Sequence, residues 1–149
     1  MPIGEICNRA AVFAKKDTSL LEVAQLMRQN HVGDVVIVDE KNGRRIPVGI
    51  VTDRDIVIEV IAKEIDINTV TASDIMGPGL ATARETEGVF ETIQLMRLKG
   101  VRRMPIVDAH GGLVGIVSVD DLIELLAEEM NELAKLISRE QVRETKTRK

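Results

Sequence analysis

The sequence has almost no aromatic side chains: no Trp, no Tyr, and Phe only at positions 13 and 90. Any core must be assembled from Val, Ile, Leu, Met and Ala. A single-stranded nucleic acid would find few platforms on which to stack its bases. Cysteine occurs once, at Cys7, which excludes an intrachain disulfide and leaves the redox compartment open. No apolar run approaches the roughly 20 residues needed to span a bilayer. The opening residues lack a basic segment followed by an apolar run, so no secretory leader is expected and the cytoplasm is the expected location. Charge of one sign is not in excess: the formal net charge is -4, which gives no general attraction to nucleic acid or anionic membrane. Phosphate-loop and nucleophile-elbow motifs are missing, so catalysis is not expected. His31, His110 and Cys7 are the only soft metal-ligand candidates, and their spacing does not describe a zinc site.

What is present is a duplication. Gln25-Leu26-Met27-Arg28 recurs as Gln94-Leu95-Met96-Arg97, and the same shift of 69 brings Val32 onto Val101, Ile37 onto Ile106 and Asp39 onto Asp108. Further on, Gly49-Ile50-Val51-Thr52 meets Gly115-Ile116-Val117-Ser118 at a shift of 66, and Asp55 meets Asp121. The difference is a three-residue insertion, expected in a turn at Gly43-Arg44-Arg45-Ile46-Pro47. The copies are placed at 5–65 and 79–127, with a connector at 66–78 and an extension at 128–149.

Each copy reads as β-α-β-β-α. Short first strands are expected around Val12–Ala14 and Leu80–Ala83. Helices follow, with Ser19 and Glu22 at capping-box spacing in copy one and the weaker cap Gly88 in copy two. The runs Val35–Val38 and Met104–Val107, ended by Asp, suit strands covered on both faces. Second such strands are expected at Val48–Val51 and Val114–Val117. A helical turn at Asp74–Met76 precedes the break at Gly77-Pro78-Gly79. About sixty residues per copy carry too little apolar surface for stability alone, so two copies packed sheet to sheet are expected, a mixed α/β (α+β) fold.

Both copies end their last strand by delivering a hydroxyl residue to a helix start, with a carboxylate three residues on: Thr52 and Asp55, Ser118 and Asp121. A capping box accounts for one such pair. Its recurrence after glycine and a buried strand points further. A helix start suits phosphate, a carboxylate can accept from both ribose hydroxyls, and Gly49 and Gly115 would let a ligand approach the backbone. Asp53, Asp55, Asp120 and Asp121 are also candidates for a magnesium carried by a nucleotide, although acidic helix starts are the plainer account.

The order of these segments, with G-h-h-[ST]-x-x-D intact in both copies, resembles the cystathionine-β-synthase (CBS) domain family. A tandem pair of these domains is a Bateman module, and the resemblance covers roughly residues 5 to 127. It implies a pseudo-twofold module with two clefts for adenosyl ligands such as AMP, ADP, ATP, S-adenosylmethionine or NAD(H). No obligatory cofactor is implied. The resemblance further implies that Thr52 and Asp55 hold a ribose, that Leu80, Ala81 and Thr82 border the adenine, and that Arg102-Arg103-Met104-Pro105 reads phosphate. The other cleft would use Ser118 and Asp121 with Val12, Phe13 and Ala14 near the base. There Gly33 and Asp34 stand where the arginines would be, so a carboxylate would repel phosphate. The Asp55 cleft is therefore expected to favour phosphorylated ligands.

Past the repeat, Leu122, Leu126, Met130, Leu133 and Ile137 form one helical stripe, suited either to intramolecular packing or to a seam between copies, and a homodimer is expected. The expected function is regulatory: a stand-alone sensor of adenosyl ligands acting on an effector protein. The rivals are a structural adaptor with vestigial clefts and, more remotely, nucleic-acid binding through the basic tail from Arg139.

Overall fold

The computed structural model describes residues 1–148. Six strands and five helices follow in the order β1 (Phe13–Lys15), α1 (Leu20–Asn30), β2 (Asp34–Lys41), β3 (Arg44–Thr52), α2 (Asp53–Ile56, continued as a wider helical turn over Val57–Ile61), α3 (Ala72–Ile75), β4 (Ala83–Arg84), α4 (Val89–Lys99), β5 (Arg103–Val107), β6 (Leu113–Ser118) and α5 (Val119–Thr147). They form two three-stranded sheets, ordered β1-β2-β3 and β4-β5-β6. The chain divides into two compact units, Met1–Val117 and the segment from Ser118 onward.

Helix α1 starts where Ser19 Oγ accepts the Glu22 N–H at 3.2 Å, and Leu20, Val23 and Met27 bury one face. It stops at His31, which adopts left-handed backbone with φ 54°, as Gly100 does after α4 with φ 66°. The two stops are equivalent positions of the duplication, and only one uses the residue that tolerates this geometry freely.

Strand β2 runs parallel to β1 and antiparallel to β3. Its apolar run is divided by the pleat between two cores. Val35 and Ile37 pack with Leu20, Val23 and Met27 of α1, whereas Val36 and Val38 pack with Ile116 of the other sheet and with Phe13, Ile50 and Leu113 at the margin. All four are buried, as an unbroken apolar strand requires. The second group is the sheet-to-sheet contact.

The insertion in copy one is not a turn over Gly43–Pro47. Lys41 pairs with Arg44, and the register shifts between Ile37 and Val38 so that Ile37 faces Gly49 and Val38 faces Pro47. The extra residues therefore lengthen a hairpin and add a bulge. Asn42 (φ 52°) and Gly43 (φ 74°) alone make the reversal, the two-residue turn that Asn-Gly favours. In copy two the equivalent turn is closed by Asp108, whose Oδ1 accepts the N–H groups of Gly112 (2.9 Å) and His110 (2.8 Å). These bonds hold its carboxyl below the ordinary aspartate value.

The first strands also differ from expectation. β1 starts one residue later than Val12, and β4 pairs only from Ala83, opposite Ile106. Leu80 to Thr82 lie outside any ladder. The helical turn is α3, which begins at Ala72 with the Thr71 N–H donating to Asp74 Oδ2 at 2.9 Å.

Each repeat lends its leading arm to the other. The N–H groups of Ile3 and Gly4 donate to the carbonyls of Glu87 and Glu85, and those of Ala72 and Ser73 donate to the carbonyls of Thr18 and Lys16. Every residue in the second set is 69 positions beyond or before its counterpart in the first. The exchange is thus reciprocal and has the pseudo-twofold character of the duplication. It places Cys7, buried and with its thiol pushed up by desolvation, against Gly115, and Met76 against Gly49.

Candidate functional site

Thr52 ends β3 and caps α2. Its Oγ1 accepts the Asp55 N–H at 3.1 Å while its own N–H donates to Asp55 Oδ2 at 2.9 Å. Ser118 and Asp121 repeat the arrangement at the start of α5, at 3.1 and 3.0 Å. Both are complete capping boxes.

Beside Thr52 opens a cavity of about 340 Å³, within the size range of small-ligand pockets. The lining is mixed, and its apolar part comes from Ile50, Leu80, Ala81 and Val101. Its polar and charged part comes from Thr52, Asp53, Arg54, Arg102 and Arg103, and the Gly77-Pro78-Gly79 break also lines the cavity. Because Leu80 and Ala81 precede the ladder of β4, their segment runs along the cavity instead of being locked into the sheet.

The cavity therefore gathers six of the residues singled out from the sequence: Thr52, Leu80, Ala81, Arg102 and Arg103, and Asp53, which was named as a magnesium candidate. It does not gather the others assigned to the same cleft. Asp55 is half-buried beneath Thr52 and Thr82 is half-buried outside the lining. Met104 and Pro105 are buried in β5, because alternation along the strand turns Met104 into the core. Gly49 does not open the backbone to a ligand. A Cβ there would stand 2.5 Å from Met76 Sδ, so the chain's own methionine fills the gap, and at Gly115 a Cβ would meet the Asn8 carbonyl oxygen at 2.5 Å. In β1, Ala14 is buried with Leu20 and Val23 in the α1 core, Val12 packs at the edge of that core, and the Phe13 ring is covered by the Arg45 guanidinium at 4.2 Å.

Sequence reasoning left Ile50, Arg54, Val101 and the Gly-Pro-Gly break out of the site. Ile50 and Arg54 lie inside or beside the very motif that was read, two residues either side of Thr52, so the motif's neighbours carried the signal. Asp34 needs a different correction. It pairs with Thr52 in the β2–β3 ladder, and its Oδ2 forms an ion pair with Arg103 Nε. Its charge is engaged at the Thr52 cavity, by the arginine that stands at the equivalent position of copy two.

Among the described residues no cluster of three or more His, Cys, Asp or Glu could hold a metal ion, and no helix is long and apolar enough to cross a membrane.

The CBS domain model matches residues 3–62 and 72–128. An uncharacterized protein of Methanopyrus kandleri is 39% identical over 123 residues, 83% of this chain and 61% of that protein, so the chain spans less than two thirds of that relative's length. Among solved structures, the CBS domain pair of protein MJ0100 in complex with 5′-methylthioadenosine and S-adenosyl-L-methionine superposes with a TM-score of 0.74 at 27% identity, covering 87% of this chain and 98% of that one. A CBS domain protein from Pyrobaculum aerophilum complexed with AMP gives 0.73 at 28% identity, covering 85% and 99%.

Proposed function

The chain belongs to the CBS domain family as a tandem pair, and from that premise we propose that it is a regulatory module that binds an adenosine-containing ligand in the Thr52 cavity. The observation that carries this reading is the mixed lining of the cavity: Ile50, Leu80, Ala81 and Val101 suit a purine, and Thr52 with Arg102 and Arg103 suits a sugar phosphate. Asp55 stands outside the lining and serves this reading by fixing Thr52 at the cavity through the capping box. The similar domain pairs solved with AMP, 5′-methylthioadenosine and S-adenosylmethionine support the same ligand class. Occupancy is transmitted to an effector protein to the extent that the ligand binds one arrangement of the repeats more tightly than another.

A thermal-shift screen with AMP, ATP, S-adenosylmethionine and NADH tests the reading. Ligand at 100 times its Kd stabilises the fold by about 2.7 kcal/mol; no shift at millimolar concentration leaves a structural adaptor as the better account. By calorimetry, Asp55→Ala is expected to weaken AMP binding about tenfold, because it breaks the capping box that fixes Thr52 and the helix start at the cavity. Asp121→Ala should weaken it less, because the arginine pair lines the Thr52 cavity. Equal losses would remove the asymmetry.

The partner reading rests on α5. Leu126, Met130, Leu133 and Ile137 are 43 to 66% exposed, an apolar stripe with the four-three-four spacing of a helical seam. Its charges are segregated: Asp120, Asp121, Glu124, Glu128, Glu129 and Glu132 precede any base, and Lys135, Arg139, Arg143, Lys146 and Arg148 outnumber Glu140 and Glu144 afterwards. Dipole effects act only in the terminal turns and do not account for Glu128 to Arg139. A second copy laid antiparallel sets acid half on basic half and makes layers of Leu126 on Ile137 and Met130 on Leu133. Sedimentation is expected to find a dimer that Leu133→Glu converts to monomer and that high salt loosens. A wild-type monomer at tens of micromolar would refute the seam.

A further inference from the structure

The ion pair at the mouth of the cavity bears on which adenosyl ligand fits, an inference that rests on the adenosyl reading above. Arg103 is the natural phosphate contact of the cavity, yet its Nε is held by Asp34 Oδ2. The pair is substantially withdrawn from water, with side-chain exposures of 31% for Arg103 and 16% for Asp34. A second carboxylate is close by. The Asp53 N–H donates to the Gly33 carbonyl at 3.0 Å, and a Cβ on Gly33 would stand 3.0 Å from Asp53 Oδ2 and 3.4 Å from Arg103 Nη2. Gly33 thus lies beside both this carboxylate and this guanidinium, and a side chain there would crowd each of them.

We propose that Asp34 sets the charge preference of the Thr52 cavity, restricting it to adenosyl ligands with little or no net negative charge, a monophosphate or a sulfonium, over a triphosphate. Three arginines at the cavity, Arg54, Arg102 and Arg103, face two carboxylates, Asp34 and Asp53. Set against one another, 3 − 2 leaves one net positive charge for an anion, and each phosphate beyond the first adds negative charge near Asp34 with no further cation to offset it. A guanidinium has five N–H donors in a fixed fork. With Nε committed to Asp34, the Nη groups remain in position for one phosphate, and the partner that orients them is also the charge that limits how many phosphates follow. Interactions at this range are strong where water is partly excluded.

The test is calorimetric titration of the full chain with AMP, ATP and 5′-methylthioadenosine, in wild type and in Asp34→Asn. The asparagine keeps the size of the side chain and removes its charge. Wild type is expected to bind AMP at least as tightly as ATP. Asp34→Asn is expected to raise ATP affinity about tenfold relative to AMP and to leave the uncharged thioether nucleoside within about twofold. Asp53→Asn, on the other side of Gly33, should shift the ATP-to-AMP ratio in the same direction, and it serves if Asp34→Asn does not fold. An unchanged ratio in both variants overturns the role of Asp34 while leaving the adenosyl reading standing. A fall in the affinity for both nucleotides also overturns it, since Asp34 would then only position Arg103. Wild-type protein that binds none of the three ligands overturns both together.

Discussion

Replacing Ile37 by alanine is expected to destabilise the protein by about 2–5 kcal/mol, read as a lower urea midpoint with an unchanged slope. Ile37 is fully buried at the centre of β2 and belongs to the cluster that includes Leu20, Val23 and Met27 of α1 and Val51 of β3. The side chains around it come from a helix and two strands already fixed by ladders and caps, so the site has little freedom to collapse onto the space vacated. That loss is a large share of the total stability of about 5–15 kcal/mol that domains of this kind possess. Ile37→Val removes one methylene and should cost about 0.5–1.5 kcal/mol. A loss below about 1 kcal/mol for the alanine variant would mean that β2 does not lie between two cores.

Gly115→Ala should be the most damaging single-methyl addition in the chain, at about 1–3 kcal/mol. The added carbon would stand 2.5 Å from the Asn8 carbonyl oxygen and 2.9 Å from Cys7 Sγ. Backbone is the obstacle. The Asn8 N–H donates to the Ile116 carbonyl at 2.8 Å and the Ile116 N–H donates back at 3.0 Å, so the methyl can be housed only by parting that bridge. At Gly49 the obstacle is a side chain, Met76, which can swing aside. Chemical denaturation should therefore rank Gly115→Ala as worse than Gly49→Ala. Met76→Ala should partly rescue the Gly49 variant, and Cys7→Ala should not rescue the Gly115 variant. Adenosyl affinity, measured on folded Gly49→Ala, should stay within a few-fold of wild type. A selective loss of ligand binding without loss of stability would return these glycines to the ligand.

The contrast shows what the sequence could and could not disclose. The repeat, the capping residues Thr52, Asp55, Ser118 and Asp121, and the doubly buried strands were legible because each rests on local spacing: identical strings at one shift, a hydroxyl and acid three apart, apolar runs closed by Asp. The position of the reversal was legible too, in Asn42-Gly43, but the alignment gap drew attention to the residues after it. The purpose of Gly49 and Gly115 was not legible locally, since it depends on Met76, 76 − 49 = 27 residues along the chain, for Gly49 and on Cys7 and Asn8, more than a hundred residues back, for Gly115. A trace of it lay in the arms themselves. At the shift of 69, Glu5-Ile6-Cys7 meets Asp74-Ile75-Met76, so the duplication extends back through residues of the second copy that read as connector. The involvement of Asp34 with Arg103 was hidden for a related reason. The two residues are equivalent in the repeat, and equivalence suggests that they do the same task in different clefts, when a pseudo-twofold axis can just as well bring them face to face.

The traded arms carry a consequence for the construction of the whole. A lone repeat would hold a strap with nowhere on itself to fasten, and a buckle with no strap to receive. Two separate copies of one repeat could meet both needs by clasping one another. The present chain amounts to such a clasped couple written as a single polypeptide, and neither half can come loose without releasing its twin.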